Sequence, residues 1–394
     1  MNGWSTRRLG ELCTEVTVGF VGKMSDQYVD AGVPFLRSQD IKPGHIDTSS
    51  LKFISPEFHH RIRKSRLSPG DVAIVRTGYP GTAAVVPDNL PDANCSDLVI
   101  ARPGPSLNPR YLAFVLNSPW GKGQVNGRLV GAAQQHFNVK VAQALEILLP
   151  PLEIQRRITG VLGAYDDLIE VNRRRIAVLE DMARGLFSEW FIRLRFPGHE
   201  DVASEVTTDG PLPTGWSWGT LGDFLTLQRG FDLPSAQRVD GAFPIVSASG
   251  ITGSHTESRV SGPGVATGRS GTIGQVHLVL GDFWPLNTAL YVKEFKKAGP
   301  AYATLLLRHL DLSKHSTGAA VPTLNRNHVH GVKLAIAPSP LLNRFEQVAM
   351  ANFKAIDVIR RESETLAAAR DLLLPRLISG QLSIMQAESE LEVV

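Results

Sequence analysis

The sequence predicts an α+β fold: two similar mixed domains separated by two long antiparallel coiled-coil helices, the whole forming a pseudo-two-fold internal repeat. Three observations lead there. Short strings recur between the two halves of the 394-residue chain, a heptad stripe follows each set of strings, and a segment without periodicity separates the halves.

The repeat comes first, because self-similarity decides architecture before any motif does. GWSTRRLGEL (3–12) is answered by GWSWGTLGDF (215–224), an offset of 212. VPFLRSQDI (33–41) faces FPIVSASGI (243–251), and RTGYPGT (76–82) faces TGRSGT (267–272). Gly131-Ala132-Ala133 with Asn138 matches Gly318-Ala319-Ala320 with Asn325, now at an offset of 187. A shrinking offset means two copies that differ by loop insertions and deletions. Within each copy, apolar β-rich runs such as Val72 to Val75 and Leu98 to Ala101 are bounded by Gly, Pro and Asn. The helical pattern is confined to short pieces, Arg110 to Asn117 and Ala301 to Leu310.

The stripes follow. Leu162, Ile169, Ile176, Ala183 and Trp190 recur every seven residues, beside Ile158, Tyr165, Leu179 and Leu186, with Asn172 interrupting the second row. Shifted by 187, the rows return as Ala349, Ile356 and Leu377 beside Phe345, Ile359, Leu366 and Leu373, weakened by Asn352, Ser363 and Arg370. This is the a/d pattern of a coiled-coil seam. A stripe of about 40 residues is roughly 60 Å long at 1.5 Å per residue, more than one small domain covers. Two such helices bury each other most economically, antiparallel. Gly380 is a plausible end for the second, and Pro375 a place for a kink. The resulting partition is 1–150 first domain, 151–195 central helix, 196–213 linker, 214–340 second domain, 341–382 distal helix and 383–394 acidic tail. The linker is assigned from its Pro, Gly and acidic content, and the final stretch from Gln386 to Val394 is expected to be loose.

Composition narrows the function. Hydrophobic residues make up 43%, and no apolar run reaches the length of a membrane span. The N-terminus lacks the apolar core of a signal peptide. Two cysteines without paired-thiol or metal-ligand spacing fit a reducing cytoplasm. Residues 1–150 carry 16 Lys/Arg against 12 Asp/Glu, and residues 201–340 carry 11 against 10. That balance permits nucleic-acid binding without demanding it.

Catalytic motifs are missing. The sequence holds no GxxxxGK(S/T) phosphate loop, no amino-methyltransferase Asn/Asp-Pro-Pro-aromatic motif and no histidine cluster at metal-ligand spacing. Asp282 with Glu294 and Lys296 imitates the acidic–basic string of metal-dependent nucleases, a string that charged edge-strand residues also give. The expectation is no catalytic residue and no metal site in this chain.

Taken together, the arrangement resembles Type I restriction–modification specificity subunits, from Gly3 to about Leu382. The resemblance rests on Trp4 with LGEL and Trp216 with LGDF, on PGDVAIVRTGYPGT (69–82), and on GAAQQHFNVKVAQALEILLPPLEIQRRI (131–158). The helical strings DDLIEVNRRRIAVLEDMARGLFSEWF and LLLPRLISGQL complete it. The second copy departs: APSPLLNRFEQ replaces the Pro-Pro-Leu pattern, and the GDV element has become Gly262-Pro263-Gly264-Val265-Ala266.

The resemblance implies two target-recognition domains, each reading half of a bipartite, asymmetric double-stranded DNA site, with the helix pair setting their separation. It implies as partners two methyltransferase subunits, which supply S-adenosylmethionine chemistry, and restriction/translocase subunits that use ATP and Mg. No cofactor falls to this chain itself. A methylation-only or other phage-defence system, and a scaffold with two protein-binding domains, remain the alternatives beside a nuclease.

Base readout needs forked donors and acceptors on loops that enter a groove. The candidates in the first domain are Arg37, Gln39, Arg76, Thr77, Gln134, Gln135 and Asn138. In the second they are Gln228, Arg229, Ser247, Arg269, Asn325 and Arg326. Arg61, Arg63, Lys64 and Arg66 suit phosphates, which position without specifying.

Overall fold

The computed structural model describes residues 4–128, 137–317, 323–379 and 381–391. The chain forms two compact units, Met1–Val171 with Ser363–Val394, and Asn172–Glu362. Each unit takes part of both long helices, so the compact units cut across the sequential partition.

In the first unit, Ser5–Arg8 pairs antiparallel with Glu146–Leu149, and Leu9–Leu12 makes one helical turn that buries Leu9 and Leu12. A four-stranded sheet follows in the order Ala83–Val85, Val72–Val75, Leu98–Pro103, Cys13–Val18. A five-stranded mixed sheet runs Tyr28–Val29, Lys52–Ile54, Val33–Leu36, Ala93–Cys95, Arg66–Leu67. Val72 to Val75 are buried on both faces, which is why that strand reads as an unbroken apolar run.

The second unit repeats the frame. Ser217–Thr220 pairs with Lys333–Ile336, and Leu221–Phe224 makes the single turn. The four-stranded sheet runs Val276–Val279, Gly264–Gly268, Ala289–Phe295, Leu225–Arg229. Position for position, this is the strand order of the first unit. The second sheet keeps three strands, Gly250–His255, Phe243–Ser247 and Trp284–Pro285. The parallel pairing of Phe35 with Asn94 in the first unit has its counterpart in Ile245 with Trp284.

The helices are Leu152–Phe187, prolonged by a π turn at Ser188–Ile192, and Ser339–Ser379 with Pro375 inside its last turn. Within the first unit, Ile158, Leu162 and Tyr165 share a core with Leu366, Leu373 and Leu377, and Ile169 packs against it. The start of the first helix thus lies on the end of the second. Within the second unit, Ala183 and Trp190 share a core with Phe345, Ala349 and Ile356, with Ile176, Leu179 and Leu186 packed against it. Here the end of the first lies on the start of the second, so the pairing is antiparallel. Ile359 is also buried.

Two sequence expectations need correction. The segment 196–213 is not a free linker: Ser204–Thr207 and Gly210–Pro213 form a hairpin, and Phe196 and Leu212 are buried beside Trp216. Its polar composition hides two apolar anchors. The final stretch, expected to be loose from Gln386, is not wholly so either. Ile384–Leu391 is helical, and Leu382 and Ala387 lie in the first unit's core. Ser383 and Gln386 form a capping box: Gln386 N donates to Ser383 Oγ at 3.2 Å and Ser383 N to Gln386 Oε1 at 3.1 Å.

Candidate nucleic-acid interface

The first unit gathers its candidates where strands end. Leu36 O, one residue before Arg37, accepts from Ser96 N, one residue before Asp97. Arg76 closes the strand Val72–Val75, and Phe137 N donates to Arg76 O at 3.2 Å, bringing Asn138 beside it. Arg37, Arg76, Thr77 and Asn138 therefore come from elements stitched to one another.

Most of these side chains already have partners. Arg37 donates through Nε to Asp40 Oδ2 at 2.9 Å, and through Nη2 to Asp40 Oδ1 and Ser50 O at 2.8 Å each. Asp40 is buried, so the forked pair fixes the turn Ser38–Asp40 and leaves Gln39 exposed at its centre. Arg76 donates to Asp97 Oδ1 at 2.5 Å and to Phe137 O at 3.2 Å, and Thr77 Oγ1 sits 3.4 Å from Asp97 Oδ2. Asn138 caps the helix Val139–Gln143, its Oδ1 accepting from Val141 N at 3.0 Å. Gln134 and Gln135 lie outside the described residues.

The basic cluster stands on a helix, Pro56–Arg61, capped by Ser55 Oγ, and on the following turn Arg63–Ser65. Buried Phe58, Ile62 and Ser65 pin this segment and turn Arg61, Arg63 and Lys64 outward. The Arg61 guanidinium lies 4.8 Å from the Phe58 ring centre and donates to Gln27 Oε1. Arg66 Nε is 2.9 Å from Asp92 Oδ1, which also lies 3.3 Å from Nε2 of buried His59. Burial keeps the His59 imidazole below its ordinary pKa, against the pull of Asp92. Arg63 and Lys64, exposed and with no ion-pair partner among the described residues, suit phosphate contact best.

The second unit is built alike and decorated differently. Leu324 N donates to Arg269 O at 2.8 Å, the counterpart of the Phe137–Arg76 bond, and Asn325 caps Arg326–His330 through Asn327 N. Arg326, the first residue of that helix, is exposed. Gln228 and Arg229 end the strand Leu225–Arg229, with Arg229 Nη2 3.6 Å from Asp232. Ser247 Oγ bonds Ser249 Oγ and Gly250 O at 3.1 Å each, so it shapes its own turn. His330 Nε2 accepts from Leu227 N at 2.9 Å, tying the Arg326 helix to the strand that carries Gln228.

Three residues escaped the sequence reading. Asp97, in the left-handed region at φ +50°, is the partner of Arg76; Thr288 occupies the matching place in the second unit. Tyr79 stands 84% exposed between two left-handed glycines, Gly78 and Gly81. Only Tyr79 carried a signal, its place inside a Gly-flanked loop.

The nuclease-like string has ordinary employment. Asp282 Oδ1 accepts from Gly262 N, Glu294 Oε2 from Thr226 Oγ1, and Lys296 Nζ donates to Gly222 O. Among the described residues no group of three or more His, Cys, Asp or Glu is placed to hold a metal, and no helix is long and apolar enough to cross a membrane.

Residues 1–181 match the family model of the Type I restriction modification DNA specificity domain. The chain is 26% identical over 264 residues to the Type I restriction enzyme MjaIX specificity subunit of Methanocaldococcus jannaschii, a match spanning 61% of either chain. It is 26% identical over 202 residues to the EcoKI specificity subunit of Escherichia coli, covering 45% of this chain and 42% of that one. The crystal structure of the Type I restriction–modification S subunit from M. genitalium superposes with a TM-score of 0.57 at 14% identity, over 95% of this chain and 96% of that one. That last likeness is one of fold. With two units of one strand order and paired helices, the chain has the fold of that solved S subunit, and its sequence is similar to the Type I restriction modification DNA specificity domain over residues 1–181 and to Type I specificity subunits over about three-fifths of its length.

Proposed function

We propose that this chain is the DNA-reading subunit of a Type I restriction–modification complex and recognises a bipartite, asymmetric double-stranded site. Each unit reads one half, and the paired helices set the gap. Two adenine-N6 methyltransferase subunits dock on the chain and bring S-adenosylmethionine; restriction/translocase subunits bring ATP and Mg. The chain itself is non-catalytic and works in the cytoplasm.

The observation that carries this reading is the pair of matching frames with unlike loops. Both units order their four-stranded sheets identically and stitch the same loop to the residue before a capping Asn. What differs is the polar decoration at the strand ends: Arg37 against Ser247, Asp97 against Thr288. One frame with two decorations is what an asymmetric two-part site requires, whereas identical subunits read palindromes.

The test is modular replacement. Full chains in which residues 1–150 come from a relative of different specificity are incubated with duplexes carrying a randomised central segment, and the selected sequences are read. One half-site is expected to change while the other stays. Change in both halves, or no selection by the parent chain, overturns the reading. Methylation, cleavage or ATP hydrolysis by the purified chain alone overturns its non-catalytic part.

A further inference from the structure

The two units hold equivalent arginines on the same backbone and leave them in different chemical states. In the first unit Arg76 follows Val75, which pairs with Leu98, and Asp97 precedes Leu98. In the second, Arg269 follows Gly268, which pairs with Ala289, and Thr288 precedes Ala289. Arg76 and Arg269 thus occupy one place in the frame, Asp97 and Thr288 another.

Both main chains are fixed. Arg76 O accepts from Phe137 N; Arg269 O accepts from Leu324 N, and Arg269 N donates to Thr288 O at 2.8 Å. The side chains differ. Arg76 is committed to Asp97 Oδ1 and the Phe137 carbonyl. Arg269 is half-buried, yet among the described residues its guanidinium has no hydrogen-bond or ion-pair partner. Thr288, standing where the carboxylate would be, has a buried Oγ1 that also lacks a partner.

Arginine cannot shed its charge by losing a proton, so an unpaired, half-desolvated guanidinium is a cost until something accepts from it. Gly271, two residues beyond Arg269, has φ +83° and open space where a Cβ would project, so the loop admits a close approach. A backbone anchored on both sides fixes where the Arg269 side chain leaves the loop, and its uncommitted fork can then pair with a base edge in the bidentate way.

Resting on the DNA-reading function above, we propose that Arg269 reads a base edge in the second unit's half-site, whereas Arg76 is a tether that holds its loop through Asp97. The two units therefore use the same loop differently.

The experiment uses the full chain and a pool of duplexes with a randomised central segment. Arg269→Ala is expected to lose about 10- to 100-fold discrimination at one position of one half-site, with the other half unchanged. Arg269→Lys keeps the charge but not the fork and is expected to lose the same discrimination. Thr288→Asp installs the first unit's tether and is expected to silence Arg269 likewise, without lowering Tm. Arg76→Ala and Asp97→Asn are expected to lower Tm and leave the selected bases of the first half unaltered.

Full discrimination by Arg269→Lys, or a loss uniform across sequences with a shallower salt dependence, assigns a phosphate contact and overturns base readout. A changed base preference in Asp97→Asn overturns the tether. If the parent chain selects a two-part site and Arg269→Ala selects the same one equally well, this inference fails alone. If the parent selects nothing, the DNA reading fails and takes the inference with it.

Discussion

Arg370 Nη1 donates to Asp166 Oδ1 at 2.5 Å, joining the two long helices within the first unit at the position where the second helix's apolar row is broken. A second guanidinium nitrogen reaches Asp371 at 2.7 Å. The polar interruption in the heptad is therefore a paired charge between helices, with both side chains at most one-quarter exposed.

Removing one partner strands the other. Arg370→Ala is expected to destabilise the chain by about 1.5–3 kcal/mol, the range for hydrogen bonds to charged groups. Replacing Asp166 and Arg370 together by Leu is expected to recover most of that loss, because a matched apolar pair avoids desolvating two charges. Urea unfolding of both variants checks this; a double variant as unstable as the single one contradicts it.

Asn138 and Asn325 serve as helix N-caps in equivalent places. Alanine at either position is expected to cost about 1 kcal/mol. Aspartate, which caps as well but accepts without donating, is expected to preserve both stability and the selected DNA sequence. A changed base preference in Asn138→Asp or Asn325→Asp would instead assign the amide to base readout.

Leu212 is 2% exposed in the hairpin that follows the first long helix. Leu212→Ala is expected to cost about 2–5 kcal/mol, as for other buried leucines. A cost near zero in urea unfolding would return this segment to the status of a loose connection.

The frame was legible because it repeats. The 187-residue offset that relates Asn138 to Asn325 is also the offset between Phe137 and Leu324, whose amides bond the equivalent arginines. Seven-residue spacing identified Leu162, Ala183, Phe345 and Leu377, all now buried. The hairpin at 204–213 was lost because its composition is polar and its anchors, Phe196 and Leu212, are 16 residues apart with no shared period. The candidate site was the least legible part. Sequence selects arginines by type and loop, and Arg37, Arg76 and Arg269 look alike there. Whether a guanidinium is occupied depends on a carboxylate that is remote in sequence for Arg76, at Asp97, and on a threonine at the same place for Arg269. No periodicity encodes that pairing.

The second unit's fold depends on a neutral imidazole. His330 Nε2 accepts from Leu227 N at 2.9 Å, beside a β-bulge between Thr226 and Leu227. A protonated ring has no lone pair there. Burial, followed by the positive charges of Lys296 and Arg326, holds the His330 pKa below its ordinary value of 6.5. In the unfolded chain the ring titrates near 6.5, so the unfolded state gains its proton first as pH falls. The contribution to stability is fully present above pH 6.5 and is lost as pH falls from there through the lowered folded value. His277 shifts the same way, through burial and then Arg308, and adds to the trend. Stability measured by urea unfolding is expected to decline on acidification below pH 6.5. His330→Gln, whose amide oxygen can take the Leu227 N–H, is expected to flatten that decline while keeping most of the stability at neutral pH. A His330 titration by NMR with its midpoint above 6.5 would contradict the assignment, as would a pH profile that His330→Gln leaves unchanged.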